Sequence, residues 1–242
     1  MSLTFRPLSH ALGAEIQGVD LGKPLSNSEF DQIHSKFLES GILLFRDQDI
    51  TREQHIAFSR RFGELDRHDS LPRDRHPDYP ELLLVSNIPE KDGKESASKY
   101  TGQQWHSDMS FTLEPSLGSL LRGITIPPVG GDTMFTNMYM AYDTLSDGMK
   151  KMIEPLHGVH TGRRKVTDRD TEREREQTRI NPPIAQPLVR VHPETGRKAL
   201  YIGEKVSGLV GMTEEESKPI IDFLVRHATR PQFVYQIGRA HV

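Results

Sequence analysis

Two residue pairs in this 242-residue chain have the types and spacing to ligate a metal. Trp105-His106-Ser107-Asp108 carries an imidazole and a carboxylate two positions apart. On an extended strand, positions i and i+2 point to one face, so His106 and Asp108 would project in parallel. They supply two thirds of the facial triad of two histidines and one carboxylate, which leaves the opposite face of Fe(II) open for a co-substrate and O₂. His76-Pro77-Asp78 repeats the spacing, but in a proline-bearing, Asp- and Arg-rich stretch of turn composition. Spacing alone leaves another account of the first pair open: a satisfied histidine followed by a strand-end aspartate.

Composition narrows the chemistry. The chain has no cysteine, which excludes disulfides, zinc–thiolate sites, iron–sulfur clusters and cysteine nucleophiles. Imidazole with carboxylate then suits Fe(II), Mn or Zn. Hydrolysis at zinc would need a further ligand and a base, usually in a helical His-Glu-x-x-His, and the chain has no such motif. The net charge of −3 carries no nucleic-acid footprint. No apolar run reaches the roughly 18 residues of a membrane span, and no basic-then-apolar leader opens the chain. A cytoplasmic protein with neither nucleic-acid nor membrane partners is expected, with homo-oligomeric association left open.

The elements that must position the pair follow from local signals. Ala14 to Leu21 reads as a strand and turn. Ser26-Asn27-Ser28-Glu29 and Thr51-Arg52-Glu53-Gln54 are capping boxes. The first opens a helix burying Phe30, Ile33 and Phe37 and ending at Gly41; the second opens one burying Ile56 and Phe58 and stopping by Gly63. Ile42 to Phe45 and Leu82 to Val85 have the apolar character of strands. Gln104 to Phe111 and Ser119 to Ile126 are expected to be strands too, and Val129-Gly130-Gly131-Asp132 a turn. Helices are expected near Tyr139–Leu145 and Gly148–Leu156, and a solvated charged segment over Gly162 to Arg179. Leu188–His192 and Lys198–Ile202 bracket Pro193-Glu194-Thr195-Gly196 as a hairpin. Thr213 to Glu216 caps a last helix burying Ile220, Ile221 and Leu224.

Five segments in order resemble the taurine dioxygenase and 2,4-dichlorophenoxyacetate dioxygenase family. They are Gly13 to Leu21; Gly41 to Gln48 with Phe58 and Arg61 to Leu65; Gln104 to Phe111; Gly130 to Thr133; and Pro187 to Arg197. The resemblance implies a mainly β fold with peripheral helices, a double-stranded β-helix or jelly roll, incomplete at its C-terminus. It implies Fe(II) on His106 and Asp108, 2-oxoglutarate as co-substrate, and O₂, with release of succinate and CO₂ as a small acidic substrate is hydroxylated. It also implies that the Thr133 hydroxyl binds a 2-oxoglutarate carboxylate and that His68 helps hold the substrate's acidic group. Leu71 and Gly102 stand where taurine-specific members carry tyrosine and asparagine. That points away from taurine and leaves another sulfonate, a sulfate ester or an aryloxyalkanoate.

The family pattern continues past Phe233-Val234-Tyr235 to a distal iron histidine and an arginine that pairs with 2-oxoglutarate, and neither follows here. Ile237 to Val242 instead translate one frame of a common short-read sequencing adapter, ATC GGA AGA GCA CAC GTC, whose next triplet is a stop. The expected domain is therefore residues 1–235, with 236–242 a non-native tail that packs poorly. His241 lies too early to be the third ligand. The alternative function is a catalytically inactive jelly-roll fragment.

Overall fold

The computed structural model describes residues 3–69, 75–86, 88, 102–127, 129–162, 175 and 178–237. The N-terminal layer begins with β1 (Thr4–Pro7), β2 (Ala14–Gln17) and β3 (Leu43–Phe45). β1 runs antiparallel to β2, and β2 parallel to β3. The parallel step requires a crossover, supplied by α1 (Asn27–Ser40). Its capping box is formed, with Ser26 and Glu29 satisfying each other's backbone N–H groups, and Gly41 closes it in the left-handed conformation at φ 72°. α2 (Arg52–Ser59) carries the second box, Thr51 with Gln54, and a turn continues it to Gly63. Both helices bury phenylalanines and isoleucines against Ile16, Phe45 and Ile50.

The second layer holds β4 (Thr133–Thr136), α3 (Met138–Asp143), α4 (Asp147–Ile153), β5 (His157–His160), β6 (Ile184–Pro187), β7 (Val189–Val191), β8 (Lys198–Leu200) and β9 (Val206–Leu209). α5 (Glu214–Ala228), a 3₁₀ turn at Pro231–Phe233 and β10 (Val234–Ile237) complete it. β5 is flanked by β6 and β9, all antiparallel, while β7 and β8 form the expected hairpin and β4 pairs with β10. Gly196 supplies the hairpin's left-handed turn residue. α5 starts at the Thr213–Glu216 box and buries Leu224 fully, with Ile220 and Ile221 partly buried. Ile153, Leu188, Leu200 and Leu224 form the centre of this larger core.

Three expected strands are absent. Gln104 to Phe111 is an extended stretch running into consecutive turns. Met109 adopts φ 52° there, a left-handed conformation that no strand accommodates. Ser119 to Ile126 has no ladder partner among the described residues, and Leu82 to Val85 keeps one bridge, Arg75 to Leu83. Apolar side chains on and beside these segments face solvent, including Val85, Leu113, Ile124 and Val129. Nearly all of the charged segment from Gly162 to Arg179 lies outside the described residues. β10 runs through Gln236 and Ile237. Ile237 is 3% exposed opposite Thr133, so the expected poor packing does not hold there. Residues 238–242, with His241, lie outside the described residues.

Candidate metal centre

His106 and Asp108 meet without the strand that was to align them. His106 Nε2 lies 3.1 Å from Asp108 Oδ1. Three separate segments hold the pair. Upstream, the Gln104 carbonyl sits 2.7 Å from His106 Nδ1, so Nδ1 carries the proton and donates. Nε2 faces Asp108 Oδ1, and it is the nitrogen that a metal ion would take in place of a proton. Downstream, Ser119 donates its hydroxyl to Asp108 Oδ2 at 2.7 Å, which fixes the carboxylate with Oδ1 toward the imidazole. From the residues after β8, the Glu204 N–H donates to the Trp105 carbonyl at 2.8 Å. Gly203 packs so closely on that carbonyl that a Cβ would stand 2.7 Å from it.

The electrostatics suit a cation. The hydrogen bond to Asp108 raises the His106 pKa, against an opposing effect of burial and with support from the Gln104 carbonyl. Asp108 is held below the usual carboxylate range, first by His106, against burial, with Ser119 and Lys205 adding to it. An imidazole nitrogen and a carboxylate oxygen thus face one point where a proton and a metal ion compete. The side chains are 26% and 52% exposed, so the point is open on one side. Among the described residues no third His, Cys, Asp or Glu joins them in a metal-sized group.

Among the described residues, no hydrogen bond or ion pair joins the other sequence candidates to this pair. Thr133 begins β4, half-buried opposite Ile237. His68 sits at φ 53°, with its N–H donating to Asp66 Oδ1 at 2.7 Å. Its buried Nδ1 is 3.9 Å from Asp66 Oδ2 and has no hydrogen-bond partner among the described residues. Strained non-glycine residues with spare polar atoms are drawn to ligand sites. The second His-x-Asp is a turn, as its composition implied: the Asp78 N–H donates to His76 Nδ1 at 3.1 Å, which takes that nitrogen out of ligation. Gly102 is left-handed beside His106, while Leu71 lies outside the described residues. Ser119 and Gly203 were missed from sequence. They meet the motif through space, 11 residues away in one case and across the whole second layer in the other, and leave no local pattern.

A family model described as "Taurine catabolism dioxygenase TauD, TfdA family" matches residues 4–239. The chain belongs to this family. Among its relatives, the alpha-ketoglutarate-dependent 2,4-dichlorophenoxyacetate dioxygenase of Cupriavidus pinatubonensis is 33% identical over 98% of this chain and 85% of its own length. Of solved structures, a taurine dioxygenase from Burkholderia xenovorans is 38% identical, with a TM-score of 0.79 over 98% of this chain and 76% of that one. AAD-2 in complex with Mn(II) and N-oxalylglycine is 33% identical, with a TM-score of 0.81 over 98% and 84%. The TauD/TfdA family is one of 2-oxoglutarate-dependent dioxygenases, and its jelly roll is the fold of this chain. Among the described residues no helix is long and apolar enough to cross a membrane.

Proposed function

We propose that this chain is the Fe(II)/2-oxoglutarate dioxygenase domain of an enzyme that hydroxylates a small acidic molecule: a sulfonate, a sulfate ester or an aryloxyalkanoate. The observation that carries the proposal is the convergence of His106 Nε2 and Asp108 Oδ1, with Nδ1 tied back to Gln104. Bound iron supplies O₂ activation coupled to 2-oxoglutarate decarboxylation, with succinate and CO₂ as products. The protein's own part is to hold the ion with His106 and Asp108 and to keep that carboxylate oriented through Ser119. On this reading the Thr133 hydroxyl donates to a 2-oxoglutarate carboxylate, and a His68 ring N–H donates to the acidic group of the substrate.

Gly102 bears on substrate choice. Asparagine tolerates the left-handed conformation found there, and a side chain at that position would start 3.7 Å from the His106 ring. Glycine gives up that polar contact, which favours substrates other than taurine. The cytoplasm is the proposed location. The proposed domain is 1–235 with a non-native tail at 236–242; β10 running through Ile237 and the family match to residue 239 count against a tail that begins at Gln236, and resequencing the source locus tests that boundary.

A second reading, an inactive jelly-roll fragment, is favoured by the two-ligand pair and the solvent-facing Leu113, Ile124 and Val129. One assay separates the two: succinate release with Fe(II), 2-oxoglutarate and O₂, from this chain and from a version extended to its natural C-terminus. Turnover by the extended version that His106→Ala abolishes supports the enzyme. No turnover by the extended version sinks it.

A further inference from the structure

Behind the metal motif lies a polar cluster that neither ligand uses. His160, on β5, is 2% exposed, and neither ring nitrogen has a hydrogen-bond partner among the described residues. The Tyr201 ring stacks on it, with centroids 5.1 Å apart and planes 20° from parallel. The Tyr201 hydroxyl and the Ser110 hydroxyl are buried too, and each lacks a well-formed hydrogen bond. Ser110 nevertheless approaches the Tyr201 phenol closely enough to ease its ionisation against burial, as does Arg190, whose guanidinium lies over the ring at 4.7 Å. His160, Tyr201 and Ser110 line one small pocket with Ser107, Ile202, Gly203 and Lys205. Burial pushes the His160 imidazole down to about 4, with Arg190 adding to the effect, so the ring is neutral at physiological pH.

Four buried polar atoms that lack well-formed hydrogen bonds among the described residues, gathered in one place, call for an explanation. Leaving one such atom unpaired is costly, and a core built for stability alone would hold Phe, Leu or Ala here. The placement supplies the reason. Ser107 lies between the two ligands, and Ser110 is two residues beyond Asp108. Tyr201 begins the segment whose Gly203 and Glu204 press on Trp105. The cluster therefore closes on the rear of the motif at both ends, with Ser110 on one side and the 201–204 segment on the other.

We propose that His160 and Tyr201 are positioning residues, which set the metal-binding turn through Ser110 and so tune the affinity of the His106–Asp108 pair for a divalent cation. This rests on the reading of that pair as ligands. Groups behind a metal's ligands commonly change metal affinity about 10-fold or more when removed. They are also kept at the expense of stability where function requires them.

The test is a Co(II) titration of the full 242-residue chain, followed by the visible d–d absorption of the bound ion and paired with thermal melts. His106→Ala should abolish the spectrum. Tyr201→Phe and Ser110→Ala each remove one buried hydroxyl, so their melting temperatures should hold or rise while Co(II) affinity falls about 10-fold and the absorption band shifts. His160→Phe should behave alike and His160→Gln should restore affinity. A merely structural role would lower the melting temperature and the affinity together. Affinities within twofold of the parent for both Tyr201→Phe and Ser110→Ala, with His106→Ala still abolishing binding, would overturn this inference alone. No His106-dependent binding by the parent chain would overturn the ligand reading and this inference with it.

Discussion

Gly203→Ala should damage the metal centre through the backbone, without touching a ligand. Gly203 lies outside the positive-φ region that favours glycine, so alanine meets no conformational strain and its effect is steric. Its Cβ would stand 2.7 Å from the Trp105 carbonyl oxygen and 3.2 Å from His106 Cα, where ordinary contact begins near 3.4 Å. Both neighbours are backbone and cannot rotate away, so the 105–106 segment must move by roughly half an ångström, about the tolerance of a working metal site. The displacement also strains the Glu204 N–H bond to Trp105, now 2.8 Å. Overpacking of this kind costs about 1–3 kcal/mol. Each 1.4 kcal/mol is tenfold in affinity, so if half of that strain falls on the ligand pair, Co(II) or Mn(II) binding weakens by about 2- to 12-fold. Gly196→Ala is the control. It sits at φ 68° with nothing within 4 Å of its Cβ position, so it should lower the melting temperature and leave metal affinity alone. Calorimetric titration of both variants decides the matter. Unchanged affinity in Gly203→Ala, or equal losses in the two variants, would refute the claim that the 201–204 segment holds the motif in place.

Core truncation should be costly at Leu224, which is fully buried in the larger core. Leu224→Ala should lose about 2–5 kcal/mol, read as a fall in melting temperature of roughly 4–20 °C for a chain of this size. Acid should destabilise the fold in two windows. His160 titrates at about 4 when folded and 6.5 when exposed, so the unfolded chain binds the extra proton first. Stability is full above pH 6.5 and falls by roughly 3 kcal/mol as pH drops to 4, and His160→Gln should flatten urea midpoints across that range. Glu15 is held down to about 2, first by Gln17 and then by Arg6, from an ordinary 4.5. Its contribution is present above pH 4.5 and disappears as pH falls toward 2, and Glu15→Gln should remove that lower window. On the surface, Leu113→Lys with Ile124→Lys should reduce light scattering at high protein concentration, since both side chains face solvent. The melting temperature should barely move, because exposed substitutions are typically worth less than about 0.5 kcal/mol.

Local signals in the sequence were dependable here and long-range ones were not. All three capping boxes formed because each satisfies backbone groups within four residues. Gly41 and the Pro193–Gly196 turn held for the same reason. Pairings between distant segments were invisible in advance: β4 meets β10 across about a hundred residues, and β5, β6 and β9 are four-residue strands too short to show a period. The failed strand at Gln104–Phe111 is instructive. Its alternating residue types fit a strand, but the described backbone has a single tie to the 201–204 segment there, and Met109 turns left-handed to bury Ser110 and Phe111. His106 and Asp108 still meet because His-x-Asp can converge from a turn as well as from a strand.

That tolerance explains why the motif is legible while its strength is not. Two side chains two positions apart are kept in one neighbourhood by the short backbone between them, and their types then suggest a cation. Affinity depends on how little freedom remains. Here that is set by Gln104 on one ring nitrogen, Ser119 on one carboxylate oxygen, and Gly203 with Glu204 on the preceding carbonyl. Two of these three restraints come from outside the motif and act on different atoms. Ser119 acts on the Asp108 side chain and Gly203 on the backbone before His106, so a cycle combining Ser119→Ala with Gly203→Ala measures whether the ligands move as one body. Losses in Co(II) binding energy that add would mean each ligand is held independently. A combined loss smaller than the sum would mean that releasing either end already frees the whole turn.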